Sequence, residues 1–508
     1  MKFGPKSTVV AVLTAAALAL TACGGGGGGG GNAGAPATTL TIGQLQDLVS
    51  FEPTDAHIGH TMPYYQAVYD TLIRRAPDGT LEPMVAESWT YNAENTVLTL
   101  KLRTDVTFTD GTKLDAEGVK ANLDHFKKTQ GRDAYQVASM DSVAVVDPTT
   151  VAITLNAPDP AFTYYLSLAA GLVASPKALG TEGIKTTPDG SGPYELDTKN
   201  TVKGSQYVFT KRADYWNKDL QKFDKITMKF LADATARTNA LVSGQVDATL
   251  LDPKTGKQAE SAGMTLTSSQ VDWAGLLLVD REGKINPELG DVKVRQAINH
   301  AFDRKTILTQ QLLDEGTPTD QVFGPESGAY LPDLDNSYPY DPAKAKALLA
   351  EAGYAKGFTL KLPSIVGFEA ILAVIQQQLG DIGIKVQIET IPQANFVPDV
   401  AGGKYSAFYF QLYQAEPWVA INQMISTSAL YNPFKSTTPE LQTMLDAVQN
   451  GGEKSAEEAK AVNKYVTENA WFAPFYRINQ MYFTNKKITV EPQLQQAIPS
   501  IYNYAPAK

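Results

Sequence analysis

Strand-like and helix-like hydrophobic patterns follow one another along this chain, and that succession is the strongest constraint on its fold. In residues 96–108, TVLTLKLRTDVTF, leucines occupy every second position, which predicts a half-buried β-strand. An Asp-Gly turn follows. In residues 114–126, LDAEGVKANLDHF, apolar residues recur at helical spacing after Asp115, a favoured N-cap residue. Alternating signals of this kind predict lobes of mixed α/β structure.

Two later segments extend the pattern. Residues 340–354, YDPAKAKALLAEAGY, predict a helix that starts at Asp341 and Pro342 and ends before Gly353. Residues 369–389, EAILAVIQQQLGDIGIKVQIE, predict a helix, a glycine stop and then an alternating strand. The apolar positions of that strand are Ile384, Val386 and Ile388.

Size and charge limit the architecture and the partners. The chain has 508 residues, and 43% of them are hydrophobic. A chain of this length exceeds what one hydrophobic core usually organises, so we expect two or more lobes. Its formal net charge of −10 argues against a nucleic-acid partner, because phosphate neutralisation needs clustered Lys and Arg. A single cysteine leaves packing, and not disulfides or thiolate metal sites, to provide stability.

The first 37 residues indicate export followed by attachment to a membrane. Residues 1–22 combine two lysines with the uncharged run STVVAVLTAAALAL, which is typical of a signal peptide and too short for a stable span. Thr21 and Ala22 before Cys23 resemble a bacterial lipobox, which implies cleavage before Cys23 and lipidation of its sulfur. Residues 23–37 are glycine-rich and predict a flexible tether. We expect an extracytoplasmic lipoprotein, the alternative being a plain signal peptide with an incidental thiol.

Motifs for catalysis are weak. His57 and His60 spell the HIGH signature of class I aminoacyl-tRNA synthetases, but the chain is acidic and lacks the basic partner motif, and Ile58-Gly59 does not fit a zinc-protease helix. The chain has no P-loop and no G-x-S-x-G elbow, and four histidines leave few general bases. We predict no catalytic residues, no cofactor and no metal site. A surface hydrolase using carboxylates is the alternative from another class.

Four stretches, in the same order and spacing, resemble the extracytoplasmic solute-binding proteins of ABC importers, family 5, the oligopeptide, dipeptide and nickel-binding group. They are AESWTYNAENTVLTLKLRTDVTFTDGTKLDAEGVKANLDHF, then GSGPYEL with KRADYWNKDLQKFDKITMKFLADATARTNALVSGQVDAT, then DVKVRQAINHAFDRKTIL, and then YDPAKAKALLAEAGY. The resemblance runs from about Leu40 to the last strand. It implies an α/β, periplasmic-binding-protein-like fold of two lobes with an extra inserted domain and a ligand cleft between the lobes.

The resemblance also implies domain boundaries and partners. Domain I would comprise residues 38–69, 190–272 and 479–508, domain II the insert 70–189, and domain III residues 273–478. A solute held between domains I and III would favour a closed form because it contacts both. The expected partners are a small solute, which is a peptide, an oligosaccharide or a metal chelate, and the transmembrane subunits of a permease. We expect a monomer.

Ten residues are candidates for ligand contact. They lie in the loop after the first strand, at the first crossing between lobes, and in the stretch 405–424. They are His57, His60 and Tyr64, then Trp273, Ala274 and Gly275, and then Tyr409, Tyr413, Glu416 and Trp418. Core packing is the alternative for the aromatic members of this set.

Tyr413 departs from the pattern of the peptide-binding relatives, which carry an aspartate there that pairs with the α-ammonium group of a peptide. A phenol lacks the charge for that bond. Either Glu416 binds the cation instead, or the ligand has none. The aromatic side chains of the stretch would also suit stacking on sugars or on apolar groups.

Overall fold

The computed structural model describes residues 37–57, 59–129, 131–414 and 416–508, so the predicted signal peptide, Cys23 and most of the tether lie outside it. Residues Ala37–Lys508 form one compact unit. None of the helices in the described ranges combines the length and the hydropathy that crossing a bilayer requires.

The described residues form strands and helices that alternate along the chain. The strands are β1 (Thr39–Gln44), β2 (Ile73–Arg75), β3 (Leu81–Pro83), β4 (Ala86–Tyr91), β5 (Val97–Leu102), β6 (Met140–Asp147), β7 (Thr150–Leu155), β8 (Tyr194–Leu196), β9 (Gln206–Lys211), β10 (Lys225–Phe230), β11 (Ala248–Leu251), β12 (Thr265–Leu278), β13 (Gly316–Pro318), β14 (Thr359–Ser364), β15 (Lys385–Thr390), β16 (Ala407–Tyr413), β17 (Phe472–Thr484), β18 (Ile488–Val490) and β19 (Tyr504–Pro506). The α-helices are α1 (Met62–Val68), α2 (Ala116–Thr129), α3 (Phe162–Tyr165), α4 (Ala234–Val242), α5 (Pro253–Ser261), α6 (Val292–His300), α7 (Arg304–Leu312), α8 (Pro342–Glu351), α9 (Glu369–Asp381), α10 (Phe396–Ala401), α11 (Pro417–Met424), α12 (Pro439–Asn450) and α13 (Ser455–Glu468).

A nine-stranded mixed sheet is the largest in the described part of the chain. Its strand order is β16-β12-β17-β11-β1-β10-β9-β8, with β13 paired to β17. Strand β1 is parallel to β10 and β11, whereas β12 and β17 pair antiparallel over almost their full lengths, from Thr265 opposite Thr484 to Leu277 opposite Phe472. A second, four-stranded sheet has the order β4-β5-β7-β6 and is antiparallel.

The local predictions from sequence are confirmed. Residues 96–108 contain strand β5, and residues 114–126 lie largely in α2, where Asp115 accepts a hydrogen bond from the Gly118 amide at 2.9 Å. Helix α8 begins after Asp341, whose carboxylate caps the Lys344 amide at 2.8 Å. The strand predicted at 384–388 is present as β15, but Ile388, predicted to be buried, is 38% exposed. Strand β15 pairs only with β14 in the described structure.

Neighbouring residues of β12 belong to two different hydrophobic cores. Trp273 packs with a large core that extends from Leu40 to Tyr504, and Ala274 packs with a second core formed by residues between 274 and 476. Successive side chains of a strand point to opposite faces of its sheet. Strand β12 therefore separates the two cores, and the predicted α/β character is confirmed.

Candidate functional site

A cavity of about 1020 Å³ lies inside the described structure. Its wall comes from the loop between β1 and α1, from residues between 132 and 168, from the adjoining strands β12 and β16, from helices α11 and α12, and from residues 495–497. Arg75 at the end of β2 completes this wall. The volume is at the upper end of the range for small-molecule sites, so an extended solute can be enclosed.

Four of the ten candidate residues line this cavity. They are His57, His60, Tyr413 and Trp418. Burial lowers the pKa of His60 to about 4, and the neighbouring His57, Arg132 and Arg237 add to this shift. His60 is therefore a neutral hydrogen-bonding group at neutral pH.

Tyr64 and Trp273 lie outside the cavity wall, in the protein interior. The Tyr64 hydroxyl donates to the Gln46 carbonyl at 3.4 Å, and its ring meets Tyr207 edge to face at 5.2 Å between centroids. Trp273 is fully buried and packs edge to face on Phe472 at 5.8 Å. In this structure both rings have protein neighbours where the sequence analysis expected a ligand.

Ala274, Gly275 and Tyr409 also lie outside the cavity wall. Tyr409 stacks on Phe475 at 6.3 Å with an interplanar angle of 16°, and Ala274 belongs to the second core. A Cβ atom on Gly275 would lie 2.4 Å from the Ala473 carbonyl oxygen, so glycine lets β12 approach β17 closely. In this structure all three residues serve the packing of the sheet.

Glu416 caps helix α11 beside the cavity wall. One oxygen of its carboxyl group accepts the amide hydrogens of Trp418 at 2.9 Å and Val419 at 3.3 Å. Burial raises the pKa of Glu416 to about 7, and the neighbouring Asp159 carboxylate adds to the rise, against the two amide bonds. The carboxyl group that sequence analysis offered for a ligand cation is therefore already engaged by the backbone.

Tyr413 lines the cavity together with residues that the sequence analysis missed. Its hydroxyl lies 2.8 Å from that of Tyr164 and donates to the Gln495 carbonyl. The guanidinium group of Arg75 lies 4.9 Å from the centre of the Tyr164 ring and donates to Gln496 Oε1 at 3.3 Å. Phenol groups and a cation therefore meet at the position where the peptide-binding relatives were expected to place a carboxylate.

Three further carboxyl groups line the cavity, those of Asp133, Asp159 and Asp272. Asp133 accepts a hydrogen bond from Gln136 at 3.3 Å and lies 3.9 Å from His57. Asp159 accepts hydrogen bonds from the Ser139 hydroxyl at 2.6 Å and the Ala161 amide at 3.0 Å, and burial raises its pKa. Asp272 accepts one from Gln480 at 3.1 Å, and burial raises its pKa to about 6. Strand alternation was a usable signal for Asp272, because its neighbour Trp273 points into the core. The described residues contain no group of three or more His, Cys, Asp or Glu placed to hold a metal ion.

The chain matches a family model over most of its length. The model describes bacterial extracellular solute-binding proteins, family 5 Middle, and matches residues 80–432. This chain belongs to family 5. The glutathione-binding protein GsiB of Escherichia coli strain K12 is 32% identical over 373 residues, which are 70% of this chain and 70% of GsiB. The family resemblance drawn from the sequence is confirmed.

Solved structures confirm the fold. HbpA2 from Haemophilus parasuis aligns with a TM-score of 0.80 at 22% identity, and the alignment covers 92% of this chain and 100% of the HbpA2 chain. DppA from Helicobacter pylori, in complex with the peptide STSA, has a TM-score of 0.75 at 20% identity and covers 92% of this chain and 98% of its own. The two-lobed α/β architecture of family 5 is therefore present. Family 5 proteins are extracytoplasmic components of ABC importers that bind solutes and are not enzymes.

Proposed function

We propose that this family 5 protein encloses an extended, peptide-like solute in the cavity between its lobes and delivers it to its permease. The observation that carries the proposal is the wall of the 1020 Å³ cavity, which joins segments as distant as His57, Tyr164, Tyr413 and Gln495. A solute in this space contacts residues of every predicted domain at once. It therefore favours the closed arrangement, since only that arrangement offers all the contacts.

A peptide-like solute is supported by two relatives. GsiB is named for glutathione, and DppA was solved with the peptide STSA. The cavity wall here combines aromatic rings, such as those of Tyr165 and Trp418, with carboxyl groups and two arginines, Arg75 and Arg132. Peptides present apolar side chains, amides and terminal charges, and such a wall can bind all three.

The proposal includes the membrane anchor and the domain arrangement predicted from sequence. Lipidation of Cys23 would keep the protein at the membrane beside the permease. The flexible glycine-rich tether would let the folded part reach the transporter. We expect the protein to act as a monomer. Domains I to III keep the boundaries given above, with the crossings near residues 273 and 478 inside β12 and β17.

A thermal-shift screen tests the proposal. The purified protein is heated with dipeptides, tripeptides, glutathione, oligosaccharides and a nickel–histidine chelate in parallel. A ligand at a hundred times its dissociation constant adds about 2.7 kcal/mol of stability, which shifts the melting temperature measurably. Peptides or glutathione are expected to raise it. A rise with sugars or chelates alone would contradict the peptide-like assignment.

Mass spectrometry of the recovered solute tests the alternative of a surface hydrolase. A binding protein returns its ligand unchanged after long incubation. Cleavage of the bound peptide at a rate proportional to protein concentration would contradict a purely binding function.

A further inference from the structure

Arg75 is a buried cation in the cavity wall. Its side chain is 8% exposed, and no carboxylate in the described ranges lies within ion-pair distance of it. Its Nη2 donates to the neutral amide of Gln496. The Tyr164 and Tyr413 hydroxyls interact with its guanidinium group, although the buried Nη1 makes no well-formed hydrogen bond to a described residue. A buried charge without a counter-ion is costly, so the free protein leaves this group poorly satisfied.

Comparison with other arginines shows that the environment of Arg75 is unusual. The side chain of the preceding residue, Arg74, lies on the other face of β2 from Arg75 and pairs with Glu82 of the neighbouring strand β3. The buried arginine Arg304 pairs with Asp320 at 2.7 Å. Arg281, which also lacks a carboxylate, is bound by Asn432 and the Trp471 carbonyl and lies away from the cavity wall. Arg132 also lines the cavity, but it is exposed. Among these arginines, only Arg75 combines burial, the absence of a carboxylate partner and a place in the cavity wall.

The carboxylates of the cavity do not supply the missing partner. Asp133 is bound by Gln136 and lies 3.9 Å from His57, Asp159 is bound by the Ser139 hydroxyl and the Ala161 amide, and Asp272 is bound by Gln480. None of the three pairs with Arg75 in the described structure. The groups beside Arg75 are the hydroxyls of Tyr164 and Tyr413, which are neutral and do not balance its charge.

We propose that Arg75 binds a carboxylate of the solute, and that this cavity therefore selects acidic solutes. The inference rests on the proposed function and adds a substrate class to it. The ligand carboxylate would lie beside Tyr413 in the cavity wall and accept hydrogen bonds from the guanidinium group of Arg75. Charge-assisted bonds of this kind are stronger than neutral ones, and arginine is well suited to them because its nitrogens form a planar fork.

Three capped peptides test the inference on the unaltered protein. Acetyl-Ala-Ala-Ala carries a carboxylate at its C-terminal end, succinyl-Ala-Ala-Ala amide carries one at its N-terminal end, and acetyl-Ala-Ala-Ala amide carries none. Isothermal titration is expected to give at least one of the two acids a dissociation constant at least tenfold lower than that of the neutral peptide. Equal binding of all three would overturn the assignment of Arg75 and leave the peptide-like function standing. If none binds and free peptides also fail, the proposed function is wrong and the assignment falls with it.

A pair of variants assigns the preference to Arg75. Arg75→Gln is expected to reduce the preference for the acid at least tenfold while binding of the neutral peptide changes less than threefold. Arg74→Gln is the matched control, because it removes the same charge from the neighbouring residue outside the cavity wall and should retain the preference. A preference that survives Arg75→Gln in a folded variant would overturn the inference. If Arg75→Gln does not fold, the three peptides on the unaltered protein decide the question.

Discussion

The hydroxyl oxygens of Tyr164 and Tyr413, 249 residues apart in sequence, lie 2.8 Å apart in the structure. Tyr164 belongs to α3 and Tyr413 to the last position of β16, so this hydrogen bond connects elements that share no sheet. The Tyr413 hydroxyl also donates to the Gln495 carbonyl. A single phenol group thus joins three distant segments in the cavity wall.

Tyr413→Phe should destabilise the protein by about 1–3 kcal/mol, because both hydrogen bonds are lost and their partners remain buried. Urea unfolding followed by circular dichroism measures the change. Small-angle X-ray scattering should show a larger radius of gyration for the unliganded variant if this contact favours closure.

Tyr431→Phe is the control for that variant. Tyr431 also lines the cavity, but its hydroxyl forms no hydrogen bond to any described residue. Its replacement should cost less than about 1 kcal/mol. Equal losses in the two variants would show that the bridge to Tyr164 contributes nothing specific.

Glu416→Gln should change the pH dependence of stability. The folded protein keeps a proton on Glu416 up to about pH 7, whereas the unfolded chain releases it near 4.5. Between these values a rise in pH therefore lowers the free energy of unfolding of the unaltered protein relative to the variant. The slope is at most about 1.4 kcal/mol per pH unit.

Denaturant titrations at pH 4.5, 5.5, 6.5 and 7.5 would measure this difference. Asp272→Asn should show the same sign over a lower window, because burial raises the pKa of Asp272 from 3.8 to about 6. A difference that grows in favour of the unaltered protein as pH rises would contradict the burial of both carboxyl groups.

Gly275→Ala should destabilise the protein by about 1–3 kcal/mol, since the added methyl group would collide with the β17 backbone. Gly380→Ala is the matched change in a helix, where a Cβ atom meets nothing within 4 Å. It should stabilise by up to about 1 kcal/mol through helix propensity. Thermal unfolding of both variants checks the two signs, and equal effects would show that Gly275 has room for a side chain.

Cys23→Ala should leave folding unchanged and release the protein from the cell membrane, because the predicted lipidation site is removed. Immunoblots of membrane and medium fractions measure the distribution. Continued retention of the variant at the membrane would count against lipidation.

Much of the fold could be predicted from the sequence because its signals are local. The alternation in β5, the cap at Asp341 and the turns around them depend on residues a few positions apart. The cavity wall depends on the assembly of distant segments, so His57 and Trp418 could be proposed from loop position and resemblance, whereas Arg75 could not. The sequence does not indicate which of the adjacent residues Arg74 and Arg75 is buried, because that depends on how β2 packs in the fold.

Strands β12 and β17 pair residues roughly 200 positions apart in sequence, and β17 also completes the contacts of β11 and β13. Closing so long a loop is entropically expensive, and contacts of high sequence separation slow folding. Most residues of the second core lie within the loop that this pairing closes, although β17 adds Ala473, Phe475 and Tyr476 to it. The central sheet, however, cannot be completed before β17 has been synthesised, because β17 follows every other strand of that sheet in the chain. The order of synthesis therefore makes β17 the last strand that the native sheet receives.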